Sequence, residues 1–94
     1  MKVLTYAPHV WSKPTGVAWW DEQDGTVQSE FSDPGDKMLA MDSLVAASNR
    51  VEFEAQAAKL AARTPITAVW DEADISISPG DYLRILQRAK IPAA

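Results

Sequence analysis

The sequence predicts a single α/β (or α+β) domain, in the order strand–strand–strand–helix–strand–helix, with a mixed sheet packed by helices. Three observations carry this. Two apolar runs flank the turn signal Asp24-Gly25, which supplies the positive φ that a hairpin needs. Cap chemistry at Asp33 and again at Ser78 precedes segments with helical apolar spacing. A further apolar run, residues 66–70, follows the helix-ending Thr64-Pro65. The chain has 94 residues, 47% of them hydrophobic, which suits one domain over residues 1–94 and leaves a core that a few large side chains must dominate.

Residues 2–7 read as a strand ended by Pro8, and residues 8–15, with Pro8 and Pro14, as a connector. Gly16-Val17-Ala18-Trp19-Trp20 is apolar at every position. Neighbours in a strand point to opposite faces, so this strand is expected to be central, with Trp19 and Trp20 both largely buried. Residues 26–31 return with Val27, Ser29 and Phe31 on one face and a polar second face.

Asp33 is the N-cap of the next helix, with Pro34 at N1. Met38, Met41, Leu44 and Val45 form an apolar stripe, and Phe53, Ala57, Leu60 and Ala61 a second one. Asn49-Arg50-Val51-Glu52 repeats the cap-x-x-acid pattern, so residues 36–62 are either one long helix or two abutting ones. Residues 66–70 read as a buried strand, parallel to a member of the hairpin, with Asp71, Glu72 and Asp74 just beyond its end. Ser78 caps the last helix, whose stripe is Tyr82, Ile85, Leu86 and Ala89, with Pro92 as its stop.

Charge and composition narrow the function. Net charge is −4, and the chain has no cysteine, which excludes disulfides and thiolate chemistry. The excess is confined to residues 1–47, where three bases (Lys2, Lys13, Lys37) face seven acids (Asp21, Glu22, Asp24, Glu30, Asp33, Asp36, Asp42). An acidic chain is a poor partner for phosphates, so nucleic-acid binding is not expected. The only basic cluster is Arg84, Arg88 and Lys90, which also suits the C-terminal turns of a helix. No run of about 18 apolar residues exists to span a membrane, and the opening lacks the apolar core of a signal peptide, so a soluble cytoplasmic protein is expected.

The single histidine, His9, lies in the polar connector without a nucleophile or metal partner in view, and the four glycines are each assigned to a turn or a cap. Asp71, Glu72 and Asp74 are the remaining chemistry. They are either loop-solvating acids or, in the enzymatic alternative, ligands of Mg²⁺ at a strand end.

Val3-Leu4-Thr5-Tyr6-Ala7-Pro8, Thr15-Gly16-Val17-Ala18-Trp19-Trp20-Asp21 and Val69-Trp70-Asp71-Glu72 together resemble the opening of RuvC-like, RNase H-fold resolvases, with Asp24-Gly25 in the turn and Ile91-Pro92 at a later helix exit. The resemblance implies an RNase H-like fold and, where the acids are kept, metal-dependent phosphodiester cleavage. Ala7 stands where that family places its first metal-binding aspartate, its C-terminal acids have no counterpart, and only Glu72 carries over as a ligand. Two-metal hydrolysis needs several carboxylates, so the resemblance implies an inactive relative.

By subtraction, the expected function is a small non-catalytic binding module that acts by protein–protein contact, needs no cofactor, and suits an accessory or inhibitor role such as those found on phages and other mobile elements. A homodimer is compatible with this reading. Trp11 and the acids Asp21, Glu22, Asp24 and Glu30 are the candidate interface, because exposed aromatics anchor contacts; Trp11 as a core residue is the competing assignment.

Overall fold

The computed structural model describes residues 1–42, 44, 47–62 and 69–88. Lys2–Ala7 forms β1, Gly16–Asp21 β2 and Thr26–Phe31 β3, followed by helix α1 over Pro34–Met41 and helix α2 over Arg50–Ala61. Val69–Asp74 is β4 and Pro79–Arg88 is α3. The strands form one sheet in the order β3-β2-β1-β4, so the fold is a small mixed α/β domain with β1 and β2 interior.

All three ladders are antiparallel, and the expected parallel pairing of the fourth strand is therefore corrected: β4 runs against β1, with Lys2 opposite Asp74 and Ala7 opposite Val69. The reason lies in the helices. β3 finishes at Phe31, at the end of the sheet where β1 also finishes. A single helical crossover would carry the chain to the far end and start β4 there. Instead there are two helices. α1 leaves from Phe31's end, and α2 starts beside Glu22, at the far end, where Arg50 pairs with it. α2 then brings the chain back, so β4 enters from the end at which β3 left.

Cap chemistry divides the two helices. The Asp33 carboxylate accepts from Gly35 N (2.8 Å) and Asp36 N (3.2 Å) at the head of α1. Asn49 does the same for α2, accepting from Glu52 N at 2.9 Å. The Glu52 carboxylate reaches back to accept from Ser48 N and Ser48 Oγ at 2.8 and 2.9 Å, a reciprocal cap displaced by one residue from the usual box. Ser78 Oγ accepts from Asp81 N at 3.3 Å to open α3.

The Ser48 hydrogen bonds hold the Glu52 carboxyl below its ordinary pKa. A group with a lowered folded-state pKa stabilises the fold above its unfolded value, about pH 4.3 for glutamate, and loses that contribution as pH falls through the folded value. Glu52→Gln should therefore be less stable than the parent at pH 7, and the gap should close by pH 3. Urea unfolding of both proteins at the two pH values measures this; a gap that is constant with pH rules out the carboxylate's part in the cap.

The sheet is covered on both faces. Leu4, Tyr6, Ala18 and Trp70 pack with Leu44, Phe53, Ala57 and Leu60 on the α1–α2 side. Val3, Val17 and Leu83 pack on the other, under α3. Val3, Leu4, Val17 and Ala18 are fully buried, as an interior strand pair covered twice requires.

Several expectations shift in detail. Trp19 and Trp20 do lie on opposite faces, one against each cluster, but both are half-buried because they sit near the end of β2. The fourth strand covers Val69–Asp74, so Asp71, Glu72 and Asp74 lie within it rather than beyond it; residues 66–68 of the expected strand lie outside the described residues. An edge strand pairs through its backbone and tolerates outward acids, which also deter edge-to-edge association.

The first helical stripe ends early. α1 stops at Met41, leaving Met38 and Leu39 exposed while Ala40 is buried, and Val45 lies outside the described residues. On α3 the buried side chain is Leu83, one residue off the expected stripe, and Ile85 is exposed; Ala89 and Pro92 lie outside the described residues. Gly16 is neither a turn nor a cap. It opens β2, where a Cβ would enter the space of the Phe31 ring.

Candidate functional site

The connector after β1 is a braced turn. Thr15 N donates to Tyr6 O (2.8 Å), which closes its base, and Ser12 N donates to His9 O (3.1 Å), which closes its tip. Pro14 is buried, and its carbonyl accepts from Gln87 Nε2 of α3 at 3.2 Å. The same amide donates to Ser32 Oγ, and Ser32 N donates to Thr15 O. Thr15 Oγ1 donates to Asp36 Oδ2 (2.8 Å), so the turn is fixed to α1 as well. Beneath it, burial and the nearby Asp36 charge hold the Tyr6 phenol above its ordinary pKa.

This bracing presents Val10 and Trp11 at the middle of the His9–Ser12 turn. Trp11 is 66% exposed, which removes the core assignment for it. Its ring lies near-parallel to that of His9, with 6.4 Å between centroids and 12° between planes.

The acids expected beside it are put to other uses. Asp21 Oδ1 accepts from Gln23 N and Asp24 N and shapes the β2–β3 turn, with Gly25 at φ 65°. Asp24 accepts from Gln28 Nε2 at 3.4 Å. Glu22 pairs with Arg50 at 2.6 Å, and Glu30 pairs with Arg84 at 3.3 Å. By register Asp21 and Glu22 lie at the far end of the sheet from the turn, so the structure does not bring the candidate interface residues into one patch.

Asp71, Glu72 and Asp74 do not converge either. Asp71 is opposite Thr5 and Glu72 opposite Leu4, so they point to different faces of β4. Asp74 shares Glu72's face but accepts from the Met1 amino group (3.0 Å), which holds its carboxyl below the usual range. Among the described residues no three His, Cys, Asp or Glu side chains gather as metal ligands would.

The basic cluster is partly spent. Arg84 is shared between Asp81 (2.7 Å) and Glu30, which raises its pKa and lowers that of Asp81. Arg88 is exposed, and Lys90 lies outside the described residues. Among the described residues no helix is long and apolar enough to cross a membrane.

No protein-family model, curated protein or solved structure matches the chain. The resemblance to RuvC-like resolvases rests on its short sequence motifs alone.

Proposed function

We propose that this chain is a non-catalytic binding module that acts by protein–protein contact, with the His9–Ser12 turn as its contact point. The observation that carries the reading is an indole two-thirds exposed on a turn whose base is hydrogen-bonded to Tyr6, Ser32, Asp36 and Gln87. Tryptophan is enriched among the residues that dominate interface energies. A turn already fixed in place loses little conformational freedom when it docks, so more of the contact energy appears as affinity. An accessory or inhibitor role fits such a module, which needs a single anchoring contact and no reacting group. The metal-dependent nuclease is less well supported, because Asp71 and Glu72 point to opposite faces and Asp74 is already engaged.

The test is in-cell crosslinking from the turn. With a photoreactive amino acid in place of Val10, the source cell should yield one discrete protein adduct, and Trp11→Ala should abolish it while Trp11→Phe keeps part of it. Trp11→Ala should change stability by no more than about 0.5 kcal/mol, as for other surface positions. An adduct indifferent to Trp11→Ala, or a large stability loss, overturns the reading.

A further inference from the structure

The sheet ends in two edge strands, and they differ. Along β4, Ile75 N donates to Met1 O, one step beyond the Lys2–Asp74 pair. Hydrogen-bonded pairs alternate along an antiparallel ladder, so Trp70, Glu72 and Asp74 turn their N–H and C=O groups away from β1. That edge carries Asp71, Glu72 and Asp74, the kind of charge that deters a further strand.

β3 is the other edge. Ser32 N donates to Thr15 O, one step beyond the Gly16–Phe31 pair. By the same alternation Thr26, Gln28 and Glu30 bond β2, while Val27, Ser29 and Phe31 turn their N–H and C=O groups outward. Among the described residues no hydrogen bond uses those groups. The strand contains no proline, and its one charged side chain, Glu30, is already paired with Arg84. Val27 and Phe31 are half-buried, so the helices leave part of their surface uncovered. β3 therefore lacks the guard that β4 carries.

The strand is complementary to itself. Two copies run antiparallel about a two-fold axis through Ser29 place Ser29 opposite Ser29, Val27 opposite the second copy's Phe31, and Gln28 opposite the second copy's Glu30. Every outward N–H and C=O of Val27, Ser29 and Phe31 is then paired. Val27 with Phe31 is a favoured aromatic–β-branched cross-strand pair, and symmetry supplies it twice. The neighbouring registers do worse. Centred on Glu30, two carboxylates stand directly opposite, which is destabilising. Centred on Gln28, Phe31 falls opposite Gly25, whose N–H already donates to Asp21 O. A two-fold contact is also closed, and it leaves only the acid-lined β4 edges outside.

We propose that this chain forms a homodimer by pairing β3 with β3 of a second copy in this register, which joins the two sheets into one. Light scattering of the full chain across the micromolar to millimolar range tests it. Edge pairing of short strands buries little area, so the mass should rise with concentration from that of one chain towards that of two. Ser29→Pro removes the central outward N–H at a strand edge, where proline is tolerated, so it should stay monomeric with the parent's circular dichroism. Single cysteines read the register, since the chain has none of its own. Under mild oxidation Ser29→Cys should give a disulfide-linked dimer, because directly opposed Cα atoms lie about 5.5 Å apart. Gln28→Cys should not, because the two copies of residue 28 stand on a diagonal about 7–8 Å apart, too far to bridge. Trp11→Ala should leave the mass profile unchanged, which separates this contact from the one assigned to the turn. A monomer at every concentration, a dimer that survives Ser29→Pro or is lost in Trp11→Ala, or equal crosslinking at positions 28 and 29 would each overturn the proposal.

Discussion

Phe53→Ala should be the most damaging single truncation in this protein, costing about 3–5 kcal/mol. Phe53 is 1% exposed and heads the fully buried side chains by size. It enters from α2 into the buried cluster that also holds Leu4, Ala18, Trp70, Leu44 and Leu60. Deleting the ring removes its transfer free energy and leaves a hole bounded on one side by strands that cannot collapse without breaking their ladders. A domain of this length has a total stability of about 5–14 kcal/mol, so the variant should sit near the edge of folding. Equilibrium urea unfolding measures the loss. A cost below about 1 kcal/mol, the size expected of surface changes, would mean that α2 does not pack as described.

Gly16→Ala should be nearly as severe for the opposite reason, overfilling. Gly16 and Phe31 face each other across the β2–β3 ladder, and an added Cβ would overlap the Phe31 ring. The ring has little freedom to yield, because Tyr6 packs on it with centroids 6.0 Å apart and Trp70 packs on Tyr6 at 5.1 Å. Forcing extra volume into such a place costs about 1–3 kcal/mol and sometimes more. The origin of the cost is separable by a double-mutant cycle. In a Phe31→Ala background the alanine at position 16 should cost close to nothing, so the two changes should be strongly non-additive. Additive effects would show that the penalty is intrinsic to the backbone at Gly16 and not to the ring. Gly80 is the useful contrast: a Cβ there meets the Glu30 carboxylate at 2.8 Å, the far end of a flexible side chain that can move away.

The parts of the fold that were legible in the sequence are those set by neighbours along the chain. Asp33, Asn49 and Ser78 were readable as caps because a cap needs only a side-chain oxygen and the amides two or three residues on. β1, β2 and the Asp24-Gly25 turn were readable because strands covered on both faces are apolar throughout and a positive φ selects glycine. The Asn49 cap pattern left open whether residues 36–62 are one helix or two, and the structure has α1 end at Met41 and α2 begin at Arg50. The exposed turn was half legible: Trp11 stood out as an aromatic in a polar connector, but its exposure depends on Gln87, Ser32 and Asp36 holding the base of the turn from distant points in the chain.

Tertiary structure alone decided the rest. The end of β4 was placed four residues early, at Trp70 rather than Asp74, because its acids read as loop, whereas an edge strand needs only backbone partners, and β1 supplies six. Its direction followed from where α2 begins, at the far end of the sheet, where Arg50 lies beside Glu22, 28 residues away in sequence. Gly16's role is invisible until the register sets it opposite Phe31. Local chemistry along the chain sets caps, turns and alternation; which distant side chains meet, as Gly16 meets Phe31 and Arg50 meets Glu22, is set by packing.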